Sequence, residues 1–207
     1  MRSKISTIFF DFDGVLTTHK SGSYTTCLNI QRAVPHIAFD SILHCYRQHH
    51  AHLLVGQTTH QAVWASFCEC IGVSLDISVL NKAFQDTPMN TQVLTLCQQF
   101  HSTYRLGVIT DNSAERFEVV KQVMELTRLF DIFIVSGDLG SRKDSVANFK
   151  QALTLANAAA HECVFIDNNP SNLVIPAQLG FHTIFHDDAQ NDVEGLKQTL
   201  TRYGVVL

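Results

Sequence analysis

The chain has 207 residues, of which 45% are apolar and 16% are charged. This length fits one domain, or one domain with a sizeable insertion, and the composition excludes a disordered chain. Fifteen Lys and Arg residues against nineteen Asp and Glu residues give a formal net charge of -4, with no basic cluster. We therefore expect neither a nucleic acid nor a membrane surface as a partner.

No apolar run reaches the roughly 18 residues of a membrane span, and the start of the chain lacks the pattern of an export signal. We therefore expect a cytoplasmic protein. Its six cysteines are spread singly along a chain long enough to fold without disulfides. We predict reduced thiols at all six positions, and we interpret Cys68 and Cys70 as packing residues of a helix.

Short apolar segments alternate with helical ones over much of the chain. Strands are predicted at residues 5–10, 106–109, 132–135, 164–166 and 183–185. Helices with one apolar face are predicted at residues 114–126, 145–158, 172–179 and 193–203. This alternation predicts an α/β fold whose core is a Rossmann-like parallel sheet.

Residues between 17 and about 88 follow a different pattern, without a convincing strand. Amphipathic helices are predicted there at residues 28–48, 59–71 and 78–85. We therefore predict two domains. Residues 1–16 and 88–207 form the α/β core, and residues 17–87 form an inserted all-helical domain.

Five polar side chains lie at the carboxyl ends of the predicted strands or in the loops that follow: Asp11, Asp13, Thr110, Lys143 and Asp167. Because those strand ends open on one crevice of a parallel sheet, we expect the five to meet there. Asp11 and Asp13 are two residues apart in extended chain, so their carboxylates face the same way and repel each other. A divalent cation or a shared proton relieves such repulsion, and oxygen ligands of this kind suit Mg²⁺.

Together these residues could carry out phosphoryl transfer. Thr110 offers a hydroxyl beside backbone N–H groups that lead to a helix N-terminus, a natural position for phosphate oxygens. Lys143 adds a positive charge. A nucleophilic aspartate, a neighbouring carboxylic acid, and a cation with a lysine make up the set of groups that the reaction needs.

Four segments, in order along the chain, resemble the motifs of the haloacid dehalogenase-like hydrolases, in the branch with a helical cap after the first motif. They are residues 11–17 (DFDGVLT), 106–110, 136–143 and 165–172 (FIDNNPSN). Within the family, residues 136–143 and 56–72 are most similar to phosphatases related to glucose-1-phosphate phosphatase and to the N-terminal phosphatase domain of soluble epoxide hydrolase.

The resemblance implies a role for each site residue. Asp11 would attack phosphorus to form an aspartyl phosphate, and Asp13 would protonate the leaving group and then activate water. Mg²⁺ would be held by Asp11, Asp167 and the backbone carbonyl of Asp13. The phosphate-binding residues would be Thr110, Asp111 and Lys143.

Three positions depart from the family pattern. Asp144 replaces the proline common after the lysine of the third motif, where it would cap the next helix. Asn168 stands where many members have a second acidic residue, so the metal site would have one negative charge fewer. That change would weaken Mg²⁺ binding or leave an amide to orient its waters. Asp111 stands where Asn is frequent, and a carboxylate next to a phosphate dianion is unfavourable unless the side chain turns away.

The sequence therefore predicts a Mg²⁺-dependent hydrolase of a small phosphorylated metabolite, with a sugar phosphate favoured. Three alternatives stay open. A haloacid dehalogenase would use Asp11 on carbon and would need neither Asp13 nor a metal. A phosphomutase would return the phosphoryl group to the substrate, and a catalytically weak member would only bind a phosphorylated ligand or a partner protein.

Overall fold

The computed structural model describes residues 4–206. The strands are β1 Thr7–Phe10, β2 Arg105–Thr110, β3 Ile132–Val135, β4 Cys163–Asp167 and β5 His182–Phe185. They form a single sheet in the order β3-β2-β1-β4-β5, and all neighbouring strands are parallel. The predicted α/β fold with a Rossmann-like parallel sheet is confirmed. Because β1 is central, the ends of β2 and β4 flank its end.

The helices bring the chain back between strands and also form the inserted segment. In chain order they are α1 Gly22–Ala33, α2 Phe39–Arg47, α3 His50–Leu53, α4 His60–Ile71, α5 Ser78–Gln85, α6 Thr91–Phe100, α7 Ala114–Val123, α8 Ser136–Leu139, α9 Val146–Ala156, α10 Val174–Leu179 and α11 Val193–Arg202. Over residues 4–206, none of them has the length and hydropathy needed to cross a membrane.

Both faces of the sheet are covered, which explains why the strands are apolar at nearly every position. Successive side chains of a strand point to opposite faces. Phe10 of β1 and Val108 of β2 belong to one core, with side chains of α6, α7 and α11. Phe9 and Phe165 belong to a second core on the other face, with Phe149 of α9.

Helices α1, α2, α4 and α5 form a third apolar core, and Val119 of α7 packs against it. Its aromatic centre includes Trp64 and Phe67, whose rings stack with centroids 4.9 Å apart. The chain enters and leaves this helical segment side by side, because Thr17 forms an antiparallel bridge with Met89. The division into a core at 1–16 and 88–207 and a cap at 17–87 stays a prediction.

The predicted helix at residues 28–48 is wrong, because α1 and α2 are separate helices there. Pro35 lies between them. Proline has no backbone N–H, and its ring disfavours helical geometry at the residue before it. Val34 accordingly leaves the helical region, with φ -132° and ψ 63°. The predictions at 59–71 and 78–85 agree with α4 and α5, and the hydroxyl of Thr59 caps α4.

Cys45 and Cys70 form a disulfide, so the prediction of six reduced thiols is wrong for this pair. The bond joins α2 to the end of α4 inside the helical insertion. The pairing depends on how these two helices pack, and spacing in the sequence does not reveal it. Free thiols are found at Cys27, Cys68, Cys97 and Cys163.

Candidate active site

Asp11 follows the central strand directly. Its backbone N–H donates to the carbonyl of Ile166 on β4 at 2.8 Å, and its carboxylate accepts from the N–H of Phe12 at 2.7 Å. The chain then turns at Gly14, where φ is +85° and a Cβ would lie 2.1 Å from Nδ2 of Asn168. Both the backbone conformation and the neighbouring amide therefore require glycine at this position.

Asp11 and Asp167 share the ammonium group of Lys143. Its Nζ lies 2.8 Å from Oδ1 of Asp11 and 2.7 Å from Oδ2 of Asp167. All three residues are buried. Residues from the ends of β1 and β4 and from the loop before α9 therefore meet in one cluster, as the convergence of strand ends predicts.

The two carboxyl groups of this cluster share a single cation. Burial, and then the charge of Asp167, raises the pKa of Asp11 well above its ordinary value, and Lys143 only partly offsets that rise. Burial lowers the pKa of Lys143, but Asp11 and Asp167 outweigh burial, so that this pKa is raised. Lys143 is therefore held as a cation, and the cluster can accept further positive charge.

Neighbouring amides fix the orientation of Asp167. Its Oδ1 accepts from the backbone N–H of Asn169 at 2.7 Å, and its two oxygens accept from Nδ2 of Asn172 at 3.2 and 3.1 Å. Asn172 is the last residue of the fourth motif, and the sequence prediction gave it no role.

Asp13 is held by an arginine that sequence reasoning missed. Nη1 of Arg116 donates to Oδ2 of Asp13 and Nη2 donates to Oδ1, both at 2.8 Å. Nδ2 of Asn112 also donates to Oδ2, at 3.1 Å. Arg116 is only 2% exposed. The available signal was its spacing on α7, since Arg116 lies one helical turn before the apolar Val120 and so shares the buried face.

The first turn of α1 packs directly on this ion pair. A Cβ at Gly22 would lie 2.5 Å from Nη1 of Arg116 and 2.8 Å from Oδ2 of Asp13. Only glycine leaves room for the paired side chains at this point. The helical insertion therefore reaches the site through α1.

The remaining predicted site residues lie at the same edge of the sheet. Thr110, at the end of β2, is buried and lines the site cavity. Asp111 turns its carboxylate away, because Oδ1 accepts from the backbone N–H of Lys143 at 2.8 Å and Oδ2 pairs with Nε of Arg142 at 3.2 Å. The contact of Asp111 with phosphate stays a prediction, and it is now a prediction for the backbone of Asp111 and no longer for its carboxylate. Asn168 donates to Asp188 at 3.1 Å.

These residues line a cavity of about 220 Å³. The sheet side carries Asp11, Asp13, Thr110 and Lys143, and the facing wall comes from the helical insertion. Residues of that wall are Tyr46, His50, Leu53, Leu54 and His60. The cavity therefore lies between the carboxyl end of the sheet and the inserted helices, which is where ligands bind in open parallel sheets.

A magnesium ion would find oxygen ligands here. Among residues 4–206, no group of three or more His, Cys, Asp and Glu side chains is arranged to hold a metal. Asp11 and Asp167 nevertheless supply two carboxyl groups that share a single lysine, and the backbone of Asp13 follows two residues after Asp11. Mg²⁺ needs only one or two carboxylates, because waters and substrate phosphate complete its shell. The donor set therefore fits this ion.

The fold and the cavity define a Rossmann-like α/β protein whose buried carboxylates and lysine lie at the carboxyl ends of its strands. The chain belongs to the haloacid dehalogenase-like hydrolases, since residues 5–180 match that family. Over 165 residues it is also 24% identical to the drimenol cyclase drtB of Aspergillus calidoustus. The aligned segment covers 69% of this chain and 31% of the relative. The chain thus spans about a third of the length of that curated relative.

Three solved structures, of two different proteins, have a similar fold. A haloacid dehalogenase family enzyme of Bacteroides thetaiotaomicron has a TM-score of 0.74 at 16% identity, over 94% of this chain and 99% of that chain. Its complex with magnesium and inorganic phosphate has a TM-score of 0.67 at 17% identity, over 87% and 93% of the two chains. A 2-haloacid dehalogenase of Pseudomonas syringae pv. Tomato DC3000 has a TM-score of 0.70 at 16% identity, over 96% and 99%. The fold alone therefore leaves the reaction to be argued from the site.

Arg116→Met is expected to destabilise the protein by about 3 kcal/mol, because it leaves the carboxylate of Asp13 without its buried cation. Urea denaturation followed by circular dichroism measures the loss. The matched control is Arg128→Met, whose side chain is 74% exposed and paired with Glu125, so its removal should change stability little. Equal losses of stability in both variants would show that the buried pair of Arg116 with Asp13 contributes no more to stability than an exposed ion pair does.

Proposed function

We propose that the protein is a Mg²⁺-dependent phosphomonoester hydrolase that works through an aspartyl phosphate on Asp11. The observation that carries this proposal is the sharing of one buried ammonium, on Lys143, by the carboxylates of Asp11 and Asp167. Asp13, two residues after the nucleophile, lines the same cavity. A small phosphorylated metabolite is the substrate class that fits this set of groups.

In the first half of the reaction an oxygen of Asp11 attacks phosphorus, and the leaving oxygen takes a proton from Asp13. In the second half Asp13 takes a proton from water, which attacks the phosphoryl group and restores Asp11. Arg116 and Asn112 donate to both oxygens of Asp13 and orient its ionised form, which takes the proton from water. One of these contacts would have to open when Asp13 carries the proton for the leaving group. Orientation of this kind contributes directly to rate.

Lys143 and the loop after β2 would bind the transferring phosphoryl group. Lys143 is held as a cation beside the nucleophile, and it can neutralise phosphoryl oxygens as charge develops. Thr110 would donate its hydroxyl, and the backbone N–H groups after it lead to the N-terminus of α7. Asp111 assists indirectly, because its carboxylate binds the backbone N–H of Lys143.

Mg²⁺ would be held by Asp11, Asp167 and the backbone carbonyl of Asp13, and when bound it supplies positive charge to the phosphoryl oxygens. Asn168 would lie beside this site and help to orient its waters. Residues 17–87 would act as a cap that excludes bulk water from the cavity, which strengthens the electrostatic interactions inside it.

The same site gives two arguments against a haloacid dehalogenase. Displacement of halide from carbon needs no proton donor for the leaving group, yet Asp13 lines the cavity two residues after Asp11. It also needs no metal, yet Asp167 adds a second carboxylate beside the nucleophile. Both residues have a role in phosphoryl transfer.

The direct test measures release of inorganic phosphate from phenyl phosphate and release of chloride from 2-chloropropionate, each with Mg²⁺ and with EDTA. Phosphate release that requires Mg²⁺ is the expected result. Chloride release that continues in EDTA would replace the proposal with a dehalogenase. Transfer of phosphate between sugar positions without release to water would indicate a mutase, and binding without turnover would indicate a catalytically weak member.

A further inference from the structure

The cavity wall opposite the sheet contains a chain of hydrogen bonds that the proposed reaction does not use. The hydroxyl of Tyr46 on α2 lies 2.9 Å from Nε2 of His60 on α4. Nδ1 of His60 lies 2.6 Å from Oε2 of Glu115 on α7, and that oxygen also accepts from the backbone N–H of His60 at 2.8 Å. Tyr46 and His60 are both buried and both line the cavity.

These hydrogen bonds link the cavity wall opposite the sheet to α7, the helix whose Arg116 holds Asp13. Glu115 and Arg116 are consecutive residues in the first turn of α7. Arg116 fixes the carboxylate of Asp13, while Glu115 binds the first residue of α4. The position of Tyr46 relative to the reacting groups is therefore set through one rigid turn of helix.

Besides His60, the Tyr46 hydroxyl has the hydroxyl of Thr26 as a hydrogen-bonding neighbour. A phenol oxygen has one proton and two lone pairs, so it still has capacity for a ligand. Burial raises the pKa of Glu115, but bonds from His60 outweigh burial and lower it, so Glu115 is an ionised acceptor. Nδ1 of His60 must then donate to it. If His60 is neutral, Nε2 accepts the Tyr46 proton and the Tyr46 oxygen can accept from a ligand. If His60 is protonated, Nε2 donates to Tyr46, whose proton is then free for a ligand.

The rest of this wall is uncharged. Burial, assisted by the positive charge of Arg47, lowers the pKa of His50 to about 4, so His50 is neutral near pH 7. Leu53 and Leu54 are apolar. Of the cations that line the cavity, Arg116 pairs with Asp13, Lys143 with Asp11 and Arg142 with Asp111. Lys20 also lines the cavity, but it lies in the loop before α1, outside the wall formed by α2 to α4. The wall therefore suits a polar, uncharged group better than a second anion.

We propose that Tyr46 determines specificity by binding a hydroxyl group of the substrate's leaving portion, with His60 and Glu115 as its positioning residues. A hydroxyl both donates and accepts, so it satisfies either protonation state of His60. The cavity of about 220 Å³ is smaller than the roughly 300–1,000 Å³ of drug-sized sites. The substrate class is thus a small polyol or sugar monophosphate. This inference rests on the proposed function for the placement of the phosphate.

Binding of two phosphonates that share one carbon skeleton tests the inference. Calorimetric titration in Mg²⁺ compares 2,3-dihydroxypropylphosphonate with propylphosphonate on the wild-type protein and on Tyr46→Phe. A phosphomonoester hydrolase does not cleave their C–P bond, so the result does not depend on turnover. We expect the wild type to prefer the dihydroxy compound by about tenfold, the value of one buried hydrogen bond. Tyr46→Phe should reduce the preference to less than about twofold, and Glu115→Gln should give an intermediate value.

Tyr104→Phe is the matched control. Tyr104 is also buried, and its hydroxyl accepts from the N–H of Val206 at 2.7 Å, but it does not line the cavity. This variant should keep the wild-type preference. The inference would be overturned by any of three results. These are an undiminished preference for the dihydroxy compound in Tyr46→Phe, no such preference in the wild type, or no binding of either phosphonate. A Tyr46-dependent preference in a protein that releases no phosphate from any ester would overturn only the proposed function.

Discussion

Asp11→Asn is expected to reduce Mg²⁺-dependent phosphate release by at least about 1,000-fold, because an amide cannot form the aspartyl phosphate. The substitution keeps the size of the side chain and changes little in packing. Steady-state release of phosphate from phenyl phosphate measures the loss. The matched control, Asp76→Asn, changes an exposed aspartate outside the cavity and should keep wild-type activity.

The stability of Asp11→Asn separates loss of chemistry from loss of folding. Burial raises the pKa of Asp11, so the folded protein resists its ionisation and loses stability as the pH rises from the ordinary aspartate pKa of about 4. The amide cannot ionise and avoids this cost. We therefore expect the variant to unfold at the same or a higher temperature than the wild type at pH 7. Activity that survives in this variant would exclude Asp11 as the nucleophile.

Lys143→Met is expected to cost about 3–5 kcal/mol of stability and nearly all activity, because it leaves the buried carboxylates of Asp11 and Asp167 side by side without their cation. The loss of stability should be larger at pH 8 than at pH 5, where protonation of Asp11 relieves the repulsion. Mg²⁺ that binds the freed carboxylates should raise the melting temperature of this variant. Differential scanning calorimetry at the two pH values, with and without Mg²⁺, measures all three effects.

Lys82→Met is the control for this variant. Lys82 is 68% exposed and pairs with Asp86, the residue that follows α5, so its removal should change the melting temperature little at either pH. A melting temperature of Lys143→Met that does not respond to Mg²⁺ would contradict the placement of the metal at Asp11 and Asp167.

The sheet could be predicted from the sequence because its strands are short, apolar on both faces and separated by helices. The prediction at 132–135 coincides with β3, and that at 164–166 lies inside β4. The predicted long helix at 28–48 failed because its apolar pattern continues past Pro35, and one proline outweighs many residues of helical periodicity. Hydrophobic periodicity alone therefore predicts where a helix or strand lies better than it predicts the residue at which that element ends.

Part of the site could also be predicted, because topology alone brings strand ends together. Asp11, Lys143 and Asp167 meet for this reason. Arg116 and Tyr46 could not be placed in the same manner. Arg116 lies in the first turn of α7 and Tyr46 near the end of α2, and the direction of each side chain depends on tertiary packing. The Cys45–Cys70 disulfide was missed for the same reason.

The account depends most on Asp11 as the residue that carries the phosphoryl group. The direct measurement is mass spectrometry of peptides from protein quenched in acid within milliseconds of mixing with phenyl phosphate and Mg²⁺. The account predicts a phosphorylated peptide with the modification on Asp11, absent from Asp11→Asn. A phosphoryl group on any other residue, or rapid turnover with Asp11 never modified, would contradict it.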